Sequence, residues 1–139
     1  MTKTKKAYIP TKLELEGLLS ITKEDSIQRW AMLHFSYFAG LRSMEIAELS
    51  IEDIFQGNEV RGMAQLPTKG GGTRRISLVD KKLRSAISTF YTVSNLSSKP
   101  IQAPLFTNPS GGRFTANAVV KQFAKMYKKA DLPCSSHSG

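Results

Sequence analysis

Three short stretches of the sequence carry side chains whose types and spacing suit work on a phosphate. In "AGLRSMEIAELS", residues 39–50, Arg42 stands just after Gly40, where an apolar run stops, and one helical turn before Glu45. A guanidinium anchored between two rigid elements and oriented by a neighbouring carboxylate is what two-point recognition of a phosphate requires. The same spacing also fits a surface ion pair of little energetic value. In "PTKGGGTRRISL", Lys69 precedes three glycines, which add no bulk and allow positive φ, so the lysine can approach a phosphate closely and deliver a proton as well as a charge. A solvated lysine on a flexible turn accounts for the same residues. In "LPCSSHSG", residues 132–139, His137 titrates near neutrality and can act as general acid or base or donate to a phosphate oxygen. Its other reading is an exposed residue in a frayed end. His34 differs, because it lies inside an apolar run and reads as a satisfied core histidine.

Charge narrows the partner. Twenty Lys and Arg against eleven Asp and Glu leave a formal net charge of +9 on 139 residues, which favours a polyanion. The basic residues are spread over several segments rather than gathered on one amphipathic helix, so nucleic acid fits better than a membrane surface. Candidate phosphate contacts are Lys3, Lys5 and Lys6 near the start, Arg74 and Arg75, and the series Lys121, Lys125 and Lys128. Pro10, Lys12, Glu14 and Glu16 interrupt the apolar run that a signal peptide needs, and no segment approaches a membrane span. With the single cysteine Cys134, no intrachain disulfide forms, and Cys134 with His137 offers too few ligands for a metal site. No cofactor is expected.

The elements that must position these residues can be read from periodicity. Thr11 and Glu14 have the spacing of a capping box, and Leu15, Leu18 and Leu19 form a stripe, predicting a helix from about 12 to 20. "SIQRWAMLHFSYFAG" is apolar nearly all round, through Ile27, Trp30, Ala31, Leu33, Phe35 and Phe38, and predicts a buried helix that stops at Gly40. A further helix begins near Ser43 and carries Glu45, Ile46 and Leu49, after which "SIEDI" turns the chain. Val60, Ala64 and Leu66 on one parity, the turn "PTKGGGT", and Ile76 with Leu78 predict one β-hairpin. A helix after Asp80 places Leu83, Ala86, Ile87 and Phe90 on one face, and "LSSKPIQAPLFTNPSGGR" reads as a long loop. The last helix, about 115 to 130, sets Val119, Phe123, Met126 and Ala130 against Lys121, Lys125 and Lys128 on the opposite side. The expected class is α+β, mainly helical with one small antiparallel sheet.

In their order and spacing the three stretches resemble one family. "AGLRSMEI" is similar to the Gly-Leu-Arg-x-x-Glu-Leu/Ile box of the tyrosine recombinases, the phage integrase family. "PTKGGGTRRISL" resembles that family's catalytic-lysine hairpin, "LPCSSHSG" the approach to its His-x-x-Arg box, and "LFTNPSGGRFTANAVVKQF" a further typical segment. The resemblance covers the chain from about residue 8. It implies the catalytic-domain fold of that family, over residues 9–139 behind a basic tail at 1–8. It also implies an enzyme that breaks and rejoins double-stranded DNA through a 3′-phosphotyrosyl intermediate, without metal or nucleotide. Arg42 would then bind the scissile phosphate and stabilise its transition state, Lys69 would protonate the departing 5′-oxygen, His137 would assist proton transfer, and Glu45 would support the site from behind.

The resemblance also sets out what is expected to be missing. The chain stops before the arginine of the second box and before the nucleophilic tyrosine, so the fold is expected to be incomplete at its C-terminal side and the chain inactive alone. Tyr37, Tyr91, Tyr127 and Tyr8 read as packing residues rather than substitutes. The preceding clamp domain of large relatives is also not found. Partner protomers on DNA and a cytoplasmic, bacterial or phage-encoded setting at the nucleoid are implied. Apolar surface uncovered by the missing segments is expected to promote instability or self-association. The alternative is a non-enzymatic DNA-binding regulator derived from the same fold. A type IB topoisomerase relative shares the phosphotyrosyl chemistry but fits the compact box spacing less well.

Overall fold

The computed structural model describes residues 10–68 and 70–133. Helix α1 spans Lys12–Asp25. Thr11 and Glu14 cap it reciprocally, each side-chain oxygen accepting from the other's backbone N–H, at 3.2 Å and 2.9 Å. It runs past the expected end near residue 20 to a junction at Ser26, whose N–H donates to the Thr22 carbonyl at 2.7 Å while its hydroxyl accepts from Arg29 N at 3.2 Å. One serine thus closes α1 and opens α2, Ile27–Ala39.

Residues Ala31, Met32, Leu33, His34 and Phe35 of α2 are buried in succession. A helix buried at five consecutive positions is covered on all sides. Its cover comes from α1, from α3 (Ser43–Glu48), and from α5 (Lys81–Val93) and α6 (Ala116–Lys129). Gly40 ends α2 at φ +72, and the N–H groups of Gly40 and Leu41 both turn back onto the Phe35 carbonyl.

Where the sequence suggested only a turn at "SIEDI", there is a short helix α4, Ile51–Ile54. The expected single hairpin is two. Strands β1 (Phe55–Gln56) and β2 (Glu59–Val60) pair around Gly57-Asn58, so Val60 belongs to a separate ladder from Ala64 and Leu66. The larger hairpin joins β3 (Met63–Pro67) to β4 (Thr73–Ser77), antiparallel, with Leu66 opposite Arg74 and Gln65 opposite Arg75. The molecule is therefore mainly helical with small antiparallel sheets, as expected from the sequence, but the sheets number two among the described residues.

Asp80 caps α5, and Leu83, Ala86, Ile87 and Phe90 are buried as the periodicity predicts. The following connection is a loop in shape but a core layer in function. Leu96, Leu105, Phe106 and Phe114 are all buried. Its backbone is stitched to the α3–α4 junction by Leu105 N to Leu49 O at 2.9 Å and Ile51 N to Ala103 O at 3.0 Å. On α6, Val119, Phe123 and Met126 are buried with Tyr127, while Ala130 is half-buried. Among the described residues no helix is long and apolar enough to cross a membrane.

Candidate functional site

The site is built on the turn between α2 and α3. Gly40 breaks α2 in the left-handed region, which only glycine adopts without cost, and Leu41 drops into the core at 4% exposure. Arg42 is then forced outward as the residue preceding α3, with its side chain exposed. Its backbone is held at both ends: Arg42 N donates to Glu45 Oε1 at 2.9 Å, and Arg42 O accepts from Ile46 N at 2.9 Å. Among the described residues the Arg42 guanidinium makes no hydrogen bond or ion pair, so an exposed fork sits on a fixed backbone.

Glu45 does not orient that fork directly, contrary to the i,i+3 pairing expected from spacing. Its carboxylate, buried at 8% exposure, caps the backbone of Arg42 and faces another arginine. Arg74 Nε lies 3.3 Å from Glu45 Oε2, without alignment for a hydrogen bond, and Arg74 Nη2 donates to the Gly40 carbonyl at 2.7 Å. The hairpin is thereby tied to both sides of the Arg42 turn. Parity explains the choice. Arg74 shares the face of Leu66 and Ile76, which looks into the molecule, while Arg75 lies on the outer face and is exposed. Of the two arginines expected to meet phosphate, Arg74 is engaged within the protein and Arg75 is available.

Lys69 falls outside the described residues, as do His137, Lys3, Lys5 and Lys6. The turn around position 69 is described: Thr68 N donates to Gly72 O at 2.9 Å, and Gly70 and Gly71 hold φ of +92 and +90. Adjacent left-handed residues need glycine, so the glycines have a backbone reason beyond lack of bulk.

Lys121, Lys125 and Lys128 are exposed on α6, away from its buried face. Other cations serve the fold. Arg113 Nη1 donates to the carbonyls of Ala47 and Leu49 at 3.2 and 2.9 Å, and its Nη2 to Ser50 Oγ at 2.9 Å. Arg84 grips the carbonyls of Val60, Arg61 and Leu78. Sequence inspection missed both residues. Arg84 flanks the α5 core stripe, one step from Leu83, and that adjacency was the available signal; nothing in the glycine-rich loop marked Arg113. Asp25 joins α1, α2 and α6, and the hydrogen-bonded Lys129 ammonium, helped by Arg29, holds its carboxyl below the ordinary value of 3.8.

His34 is buried, its Nδ1 hydrogen-bonded to the Trp30 carbonyl at 2.9 Å, and burial pushes its pKa below 6.5. The described tyrosines are all engaged. The hydroxyls of Tyr37 and Tyr127 bond to each other, and that of Tyr91 donates to Asn58 Oδ1 at 3.0 Å. No group of three or more His, Cys, Asp or Glu able to hold a metal ion occurs among the described residues.

Residues 10–138 match the phage integrase family. The chain belongs to that family. Its similarity to the tyrosine recombinase XerC of Proteus mirabilis is 32% identity over 127 residues, covering 89% of this chain and 39% of XerC. Among solved structures, the XerA recombinase superposes with a TM-score of 0.77 at 17% identity, over 98% of this integrase-family chain and 48% of XerA. The Tn1549 transposon integrase, solved with transposon right-end DNA, gives 0.70 at 20% identity, over 97% of this chain and 50% of its own. These likenesses establish a shared fold, and the chain spans half or less of each relative.

Proposed function

We propose that the chain provides the phosphate-binding half of a site-specific recombinase, one that breaks and rejoins duplex DNA through a 3′-phosphotyrosyl intermediate. The observation that carries this reading is the Arg42 turn, where a fixed backbone presents an exposed guanidinium and a hairpin is tied alongside. Arg42 would hold the non-bridging oxygens of the scissile phosphate and offset the charge that builds in the pentavalent transition state. Lys69, from the turn of that hairpin, would protonate the departing 5′-oxygen, and His137 would assist proton transfer. Arg75, Lys121 and Lys125 would meet flanking phosphates, which position the protein without reading sequence. Other protomers would share the DNA site.

The same reading holds that the 139-residue chain does not cleave alone. Its support is coverage, since the chain spans 39% of XerC and 48% of XerA, and the described tyrosines Tyr37, Tyr91 and Tyr127 bond within the protein. That observation also favours a second reading, in which the chain is a non-enzymatic DNA-binding protein on a recombinase fold. Duplex-binding titrations at several salt concentrations, followed by denaturing gels, test both. Binding that weakens steeply with salt, a further loss with Arg42→Ala, and no covalent adduct are expected. A flat salt dependence would sink the DNA assignment, and an adduct on any of these tyrosines would sink the claim of incompleteness. Modulation of a complete recombinase by the added chain would favour the second reading.

A further inference from the structure

Arg74 does something that neither its charge nor its place on a hairpin suggests. Its guanidinium takes the Gly40 carbonyl at 2.7 Å with Nη2 and faces the Glu45 carboxylate at 3.3 Å with Nε. Gly40 and Glu45 flank Arg42 on either side, and Glu45 in turn holds Arg42 N through its other oxygen at 2.9 Å. One side chain from β4 therefore spans the whole turn that presents Arg42. The turn's other restraints are local, from Leu41 in the core and the bonds of the Arg42 backbone, and Arg74 adds a tie from the hairpin across the left-handed Gly40. Glu45 is also a buried acid, and an unpaired carboxylate beneath Arg42 would pull the Arg42 guanidinium down and weaken its field for an anion. A cation beside that carboxylate removes the competition.

We propose that Arg74 is a positioning residue that braces the Arg42 turn and neutralises Glu45, leaving the Arg42 guanidinium fixed outward for phosphate, and that Arg74 itself binds no phosphate. The inference rests on the DNA reading above for its ligand, though not for the brace. Lysine cannot replace the function fully, since one ammonium cannot reach the carbonyl and the carboxylate in the fork geometry of a guanidinium.

The test is a double-mutant cycle on the 139-residue chain, with Arg42→Ala, Arg74→Met and the pair, read as affinity for a short mixed-sequence duplex at fixed salt. Arg74→Lys is added as the charge-preserving variant, and thermal melts identify any variant that is not folded at the working temperature. Losing the fixed backbone costs on the order of tenfold in affinity, from the entropy of re-ordering the turn. Arg74→Met is expected to lose about as much as Arg42→Ala, the pair no more than either, and Arg74→Lys to recover part of the loss. Losses that multiply in the pair would overturn the proposal, because Arg74 would then touch the DNA itself. A lowered melting temperature with unchanged affinity would overturn it too, leaving Arg74 a part of the fold only. Backbone ¹⁵N relaxation at Arg42 in the free protein reads the brace without DNA. An Arg42 amide as rigid in Arg74→Met as in the parent would refute the brace. If instead the amide loosens while Arg42→Ala binds DNA like the parent, the brace stands and the phosphate role of Arg42 fails.

Discussion

At the scale of single residues, the arginines of this chain divide by what their forks meet. Arg113 takes two backbone carbonyls and a hydroxyl at the end of α3, whereas Arg75 is exposed on the outer face of the hairpin. Removing a donor from carbonyls that the loop covers costs about 1–3 kcal/mol, while a surface substitution stays within about 0.5 kcal/mol. Urea denaturation should therefore show Arg113→Met destabilised by about 2 kcal/mol and Arg75→Met unchanged. Equal stabilities would mean that the Arg113 contacts are not worth their desolvation. Part of this division was legible in the sequence. Arg74 falls on the parity of Ile76, and a period of two already sends it inward, but composition counts both hairpin arginines as surface charge. Arg113 was not legible, since its acceptors lie more than sixty residues away in the chain and two of them are backbone carbonyls that no sequence pattern marks.

At the scale of elements, local rules served wherever the determinant was local. The Thr11–Glu14 box, the stop of α2 at Gly40 and the buried stripes of α5 and α6 follow from spacing alone. The missed β1–β2 pair is two residues per strand, too short for alternation to show, and the 94–114 connection hides core residues because their partners are distant in sequence, as where Phe106 packs against Phe35 and Phe90. Gly40 itself permits a prediction. A Cβ there would meet Arg74 Nη2 at 3.9 Å, an ordinary contact, so Gly40→Ala pays only for its φ of +72, about 1–2 kcal/mol. A melting temperature equal to the parent's would show that the turn relaxes out of the left-handed region. Helix α2 adds a pH dependence through His34. Burial lowers its pKa in the fold, so below the unfolded value near 6.5 the unfolded chain takes up the proton first and stability falls as pH falls toward the folded pKa. The slope reaches at most about 1.4 kcal/mol per pH unit. His34→Leu should flatten stability between pH 7.5 and 5.5, a window above that of the lowered Asp25 carboxyl. An unchanged slope in that variant would assign the effect elsewhere.

At the scale of the whole molecule, the formal charge of +9 overstates what faces outward as a DNA-binding surface. Arg29, Arg61, Arg74, Arg84 and Arg113 each direct at least one donor to a carbonyl or amide oxygen of the protein itself. Among the described residues, the exposed cations at the proposed interface are Arg42, Arg75 and the α6 series, so the salt dependence of binding should follow exposed cations rather than the net charge. Each phosphate neutralised contributes a log-log slope of about −0.9 on duplex DNA. Reversing Lys121 and Lys125 together to Glu should make the slope shallower by about 1.8 while leaving the melt of the protein unaltered, because both side chains are exposed on a helix whose opposite face holds the core. The same double reversal made at Arg29 and Arg84 would unfold local structure before it reported on DNA. A slope unchanged by Lys121→Glu and Lys125→Glu would remove α6 from the interface and leave the Arg42 turn and the outer face of the hairpin as the described surfaces proposed to meet DNA.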